Sequence, residues 1–144
     1  MYKHILIPTD GSPLSALAVE QALSLAKTIG AKVTALTVVE PFPELRGLPQ
    51  SYDARGEYER RVNAEVERSL AQAEQEAKRV GVHCETAQVE HTQPYEAIIE
   101  TAVARGCDLI AMASHGRRGI SALVLGSETM KVLTHSKLPV LVYR

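Results

Sequence analysis

The stretch Asp108 to Ser127, DLIAMASHGRRGISALVLGS, decides how the chain reads. Leu109, Ile110, Ala111, Met112 and Ala113 form a nearly continuous apolar run, the pattern of a parallel strand covered on both faces. The run stops at Ser114-His115-Gly116. Nine residues later Gly126-Ser127 opens a segment whose apolar members Met130 and Leu133 have helical spacing, with Ser127 as the expected N-cap. Unpaired amides at such a helix start, together with the positive end of the helix dipole, favour an anion, and glycine lets a ligand approach the backbone closely. Strand, small-residue loop and glycine-led helix are the parts of a phosphate cradle.

Outward from that stretch, strand and helix alternate. Tyr2 to Thr9 reads as a strand, and Ser12-Pro13 supplies a cap and a first-turn proline. Leu14, Leu17, Ala18, Ala22, Leu25, Ala26 and Ile29 follow at helical intervals, and Gly30 stops the helix. Lys32 to Val39 is a second strand, and residues 41–56 read as an irregular surface excursion. Glu57 to Val80 is a long helix with Val62, Val66, Ala73, Ala77 and Val80 on one side and dense charge elsewhere. His83 to Glu90 is a third strand, Pro94 to Arg105 a helix, Asp108 to Ala113 the fourth strand, Ser127 to His135 a helix and Val140 to Tyr143 the fifth strand.

Strict alternation predicts an α/β fold: an open, doubly wound, five-stranded parallel sheet in the order 3-2-1-4-5, with helices on both faces. Ligands of such sheets sit beyond the carboxyl ends of the strands where the winding reverses, here between strands one and four. Asp10 leaves strand one there, and Ser114-His115-Gly116 leaves strand four. With Ser12 placed to cap the first helix, Asp10 is expected to remain free to accept hydrogen bonds from ribose hydroxyls, as acidic residues do in dinucleotide sites.

The spacing Gly-x2-Gly-x9-Gly-Ser/Thr resembles the nucleotide signature of the ATP-binding branch of the universal stress protein family. It occurs here as Ala113-Ser114-His115-Gly116, nine residues, then Gly126-Ser127. The first glycine is replaced by Ala113, which closes a strand where φ is negative and where smallness suffices. The resemblance extends from Ile5-Leu6-Ile7-Pro8-Thr9-Asp10-Gly11-Ser12 to Leu138-Pro139-Val140-Leu141-Val142. It implies a single domain over 1–144 with a Rossmann-like, adenine nucleotide alpha hydrolase-like fold. It also implies ATP, with ADP or AMP as alternatives and Mg²⁺ carried on the phosphates, in a crevice formed by Pro8, Thr9, Asp10, Val38, Met112, Ala113, Ser114, His115, Gly116, Arg117, Gly119, Gly126, Ser127, Glu128 and Thr129. In that assignment the Val38 backbone bonds adenine and Gly116 and Gly119 give backbone contacts, while Arg117 or Arg118 pairs with phosphate. Ser127 caps its helix, touches phosphate or does both. Glu128 favours the helix dipole but competes with an anion if it faces the crevice.

Composition narrows the function. A chain of 144 residues at 45% hydrophobic is one ordinary domain, able to bury about 68–70% of its unfolded surface. With 16 basic and 17 acidic residues it offers no electrostatic footprint for nucleic acid or an anionic membrane. No apolar stretch reaches the roughly 20 residues of a membrane span. Cys84 and Cys107 stand apart, as reduced thiols of a cytoplasmic protein do. His4, His83, His91 and His135 have no metal-ligand spacing with His115.

The Walker A and G-x-G-x-x-G patterns are absent, and no nucleophile–base pair stands out. The expected function is therefore that of an ATP-binding universal stress protein, a nucleotide-responsive regulator with an unidentified client. A slow ATPase or a phosphoryl or adenylyl transferase is the enzymatic alternative, and an interaction module without nucleotide the third. The edge segment Pro139 to Tyr143 is expected to pair with its twin in a homodimer, a contact the resemblance also implies.

Overall fold

The computed structural model describes residues 1–43, 52–116 and 124–144. In chain order its elements are β1 His4–Pro8, α1 Pro13–Ile29, β2 Lys32–Val39, α2 Tyr52–Val80, β3 Cys84–Glu90, α3 Pro94–Ala104, β4 Leu109–Ala113, α4 Ser127–His135 and β5 Val140–Tyr143. The strands form one parallel five-stranded sheet in the order β3-β2-β1-β4-β5, as the alternation predicts.

Alternate residues of the central strand face opposite layers. Ile5 and Ile7 pack with Val19, Ala22 and Leu23 of α1 and Ala73 and Ala77 of α2. Leu6 packs with Ile98 of α3, Val132 of α4 and Met112. All three central residues are fully buried, each contributing about 1.5–3 kcal/mol of transfer free energy. Small side chains at Ala18, Ala22 and Ala26, four apart, bring α1 close to the sheet, and Leu17, expected on that face, is 44% exposed. Ser12 does cap α1, its Oγ accepting from Ser15 N at 3.3 Å. Gly30 closes the helix at φ 72°, a left-handed conformation that favours glycine.

Two boundaries differ from expectation in ways that matter. The long helix starts at Tyr52 rather than Glu57, with Gly56 inside it. Its first turns are tied down by contacts that offset the roughly 1 kcal/mol cost of a helical glycine. The Tyr58 hydroxyl donates to Glu40 O at 2.8 Å, its ring meets Phe42 edge-on at 5.3 Å, and Arg55 pairs with Glu59 at 3.1 Å. β1 is also shorter than Tyr2 to Thr9, because the amides of Lys3 and His4 donate to the Asp108 carboxylate instead of to a strand.

Pro8 shapes the switch point. Thr9 N bonds Leu36 O, so the peptide groups of Pro8 turn toward β4, where proline has no N–H to give. The β1–β4 register accordingly ends at Leu6↔Ile110, although β4 continues to Ala113. The two central strands separate at their carboxyl ends. No helix among the described residues is long and apolar enough to cross a membrane.

Candidate functional site

The β1 turn is tightly organised. Thr9 Oγ1 accepts from Ser15 Oγ at 2.8 Å and from Gly11 N at 3.3 Å, and Thr37 Oγ1 donates to Thr9 O at 2.9 Å. Gly11 takes φ 77°, which a side chain would resist. Asp10 is held rather than free: its Oδ1 accepts from Ser12 N at 2.9 Å in an Asx turn. Its Oδ2 faces Gly116, where an added Cβ would lie only 2.7 Å away. A side chain at 116 would therefore have to move the Asp10 carboxylate, a hundred residues earlier in the chain.

At the end of β4 a zipper of hydrogen bonds closes the neck of the 114–126 loop. Ser114 O accepts from Gly126 N at 2.8 Å, and Thr129 Oγ1 donates toward Ala113 O and Ser114 O at 3.0 and 3.2 Å. His115 Nε2 donates to Val124 O, and its Nδ1 lies 2.9 Å from Ser114 Oγ. No described residue other than glycine has positive φ, so Ala113 in place of the family's first glycine is unstrained.

The helix cap differs from expectation. Gly126, not Ser127, is the N-cap of α4, and Ser127 is the first helical residue. A Cβ at Gly126 would lie 3.1 Å from Ser114 O and 3.4 Å from His115 Cα, so a side chain there would press on the neck backbone. The intrahelical ladder begins with Met130 N to Gly126 O. The amides of Ser127, Glu128 and Thr129 therefore have no helical partner. Met130 and Leu133, the expected apolar pair, are 52% and 42% exposed, and the inner face is carried by Thr129 and Val132. Thr129 is buried because its hydroxyl is satisfied by the neck carbonyls.

Glu128 has a definite direction. Its Oε2 accepts from Tyr95 N at the start of α3 at 2.9 Å, and Lys131 Nζ lies 3.5 Å from its Oε1. The carboxylate bridges the two helix starts.

Val38 acquires its significance from parity. The peptide groups of Leu36 face β1, and Val39 O accepts from His91 N on the β3 side. Residues two apart face the same way, so the N–H and C=O of Val38 point to the β1 side, where β1 has already turned away at Asp10.

These groups surround one crevice of about 360 Å³. Its lining includes Pro8, Thr9, Asp10, Val38, Met112, Ala113, His115, Gly116, Gly126, Ser127, Glu128 and Thr129 of the expected set. Ser114 stands behind it, with its hydroxyl engaged by His115 and its carbonyl by the neck. Arg117 and Gly119, with Arg118, lie outside the described residues. Sequence reading missed Ser15, Leu36, Glu40, Pro94 and Ile98, which complete the lining. Leu36 was within reach, being two residues before Val38 on the same face. Pro94 and Ile98 share the start of α3, one turn apart, on the side facing α4.

Other groupings offer less. A hollow of about 270 Å³ between α1 and α2 has Pro13 as its helix-start residue, and proline carries no N–H. His91, Glu96 and Glu100 bring potential ligand atoms within 4.8 Å, a grouping missed by looking for partners of His115. His91 Nδ1 accepts from Gln93 N at 2.8 Å, however, which puts the neutral ring's proton on Nε2, the nitrogen facing both carboxylates. A cation there would have to displace that proton and break the Gln93 bond. Cys84 and Cys107 are both free thiols, and burial pushes Cys107 up to about 11, away from reactive thiolate.

Comparison with known proteins agrees with this fold. A family model described as the universal stress protein family matches residues 1–144. Universal stress protein MJ0531 of Methanocaldococcus jannaschii is 35% identical over 147 residues, covering 100% of this chain and 83% of that protein. Among solved structures, universal stress protein UspA from Lactobacillus plantarum superposes with a TM-score of 0.81 at 24% identity, covering 99% of this chain and 98% of the other, and speaks to the fold alone. A universal stress protein in complex with cAMP gives 0.75 at 27% identity, covering 99% and 97%.

Proposed function

The chain belongs to the universal stress protein family, and from that premise we propose that it binds ATP, or another adenine nucleotide, in the β1–β4 crevice and acts as a cytoplasmic nucleotide-responsive regulator. The observation that carries this reading is the pairing of two backbone surfaces across the crevice. On one side the Val38 peptide groups have no strand to bond, and on the other the first amides of α4 have no helical partner. A purine edge needs alternating donors and acceptors, and a phosphate needs converging N–H groups. In this reading Asp10, which lines the same crevice, meets the ribose. A volume of about 360 Å³ falls in the range of about 300–1,000 Å³ usual for small-ligand sites. The related protein in complex with cAMP supports an adenine ligand. In this reading Mg²⁺ enters on the phosphates of ATP.

The regulator is proposed to be a homodimer through β5. That strand is a sheet edge. Pro139 O and Tyr143 O accept bonds from β4-side amides, so the peptide groups of Val140 and Val142 face outward. Val142→Pro removes an outward donor and no ladder bond. Light scattering of the wild type, Val142→Pro and Val140→Lys is expected to show a dimer and two weakened assemblies, and a wild-type monomer would reject the interface.

Native mass spectrometry of gently purified protein, followed by calorimetric titration with ATP, ADP, AMP and cAMP, tests the nucleotide reading. Saturable binding of at least one, at one site per chain, is expected. Binding of none overturns it.

A further inference from the structure

We propose that Glu128 sets the selectivity of the crevice among adenine nucleotides by charge, weakening binding with each added phosphate charge. The inference rests on the nucleotide reading above and adds to it a residue that decides which nucleotide is held best.

Glu128 occupies the second helical position of α4, in the turn whose amides are offered to phosphate. It lines the crevice. A carboxylate on a flexible stem would ordinarily swing toward solvent as an anion arrives. This one is anchored twice, by Tyr95 N at 2.9 Å and by Lys131 Nζ at 3.5 Å. Lys131 is itself steered, its ammonium 5.6 Å from the centre of the Tyr95 ring. The negative charge therefore stays beside the place where phosphate charge accumulates, with Lys131 as a partial counterweight.

The other described lining residues do not cancel it. Among the described lining residues the ionisable groups are Asp10, Glu40, Glu128 and His115, with no lysine or arginine. Asp10 belongs to the β1 turn, and Glu40 directly follows β2. Glu128 is the carboxylate in the phosphate-facing turn. Repulsion between fixed like charges grows with ligand charge, so a cyclic monophosphate is disfavoured least and a free triphosphate most. A divalent cation on the triphosphate would relieve the penalty.

The test is calorimetric titration of cAMP, AMP, ADP and ATP, without divalent cation and at low salt, into the wild type, Glu128→Gln and Lys131→Met. Glutamine keeps an oxygen acceptor for Tyr95 N, so the bridge between α3 and α4 survives. In Glu128→Gln affinity should rise by on the order of threefold per ligand charge, leaving cAMP least changed and ATP most. Lys131→Met should act in the opposite sense, and both effects should shrink at higher ionic strength. A structural role would alter the melting temperature and all four affinities alike. Equal changes for the four nucleotides, or none, in a wild type that does bind them would overturn the proposal and leave the nucleotide reading intact. A wild type that binds none of the four overturns both.

Discussion

At the amino ends of the strands, backbone groups are taken up within the chain. The Asp108 carboxylate accepts from Lys3 N at 2.9 Å and His4 N at 3.0 Å, His4 O accepts from Asp108 N, and His83 O accepts from Val33 N. Buried His4 adds a 2.7 Å bond to Thr34 Oγ1. At the carboxyl ends the same sheet leaves the Val38 peptide and the first amides of α4 facing a crevice. The contrast teaches where to look for function: one end uses a carboxylate to close the backbone, and the other uses glycine and proline to keep it open.

Gly126→Val is the most damaging test of the open end. The new Cβ meets Ser114 O at 3.1 Å, so overpacking should cost about 1–3 kcal/mol in chemical denaturation. Nucleotide binding should disappear with the neck. Loss of binding in this variant reports the neck and the cradle together, and unchanged binding in folded protein would remove α4 from the site. Asp10→Ala follows. Losing charged hydrogen bonds to ribose should weaken binding by about 1.5–3 kcal/mol, and releasing Ser12 N should cost about 1 kcal/mol of stability.

Asp108→Ala probes the closed end and should act on stability alone, by about 1.5–3 kcal/mol, with affinity unchanged. Any sizeable loss of nucleotide binding here would break the division between the two ends. The same end should loosen in acid. Burial tends to raise the Asp108 carboxyl, but the amides of Lys3 and His4 outweigh it and hold the group below its usual value. Burial, helped by Lys32, holds His4 below its usual value too. Both groups are depressed in the fold, so their contributions are complete above the unfolded values, about 6.5 for His and 3.9 for Asp. They are lost as pH falls from there through the folded values. Unfolding midpoints measured from pH 8 downward should fall first near the histidine range and again near the carboxyl range. Asp108→Asn should flatten the second fall.

Val38→Pro carries the smallest expected effect and the finest discrimination. Proline removes one N–H that faces no strand, while the β2–β3 ladder keeps its bonds through Thr37 and Val39. One neutral hydrogen bond is worth about 0.5–1.5 kcal/mol, so affinity for adenine nucleotides should fall by up to about tenfold. An unchanged affinity in folded protein would remove the Val38 N–H from adenine recognition.

Much of this arrangement was legible because it is local or periodic. The apolar run Leu109 to Ala113, the Ser12-Pro13 start and the Gly30 stop each act within a few residues, and the structure has them as expected. Legibility failed where a distant partner decided the outcome. Thr129 and Val132, not Met130 and Leu133, face inward because the threonine hydroxyl finds the neck carbonyls. The helix from Tyr52 runs through Gly56 because Tyr58 is tied to Glu40 and Phe42. The Glu128 carboxylate turned out to bridge to α3, a contact 33 positions away in the chain.

The amino-acid sequence by itself determined the succession of strands and helices, the parallel order of the sheet and the family. Hydrophobic periodicity, capping chemistry and crossover handedness act on each segment with little regard to the rest. Only the tertiary structure decided which backbone groups are left over. Asp10 is bound into a turn, and its carboxylate closely approaches Gly116. Pro8 parts β1 from β4, and Val38 faces a vacancy in the ladder. Whether a peptide group is paired depends on the strand beside it, and that neighbour is assigned only when the whole sheet has assembled.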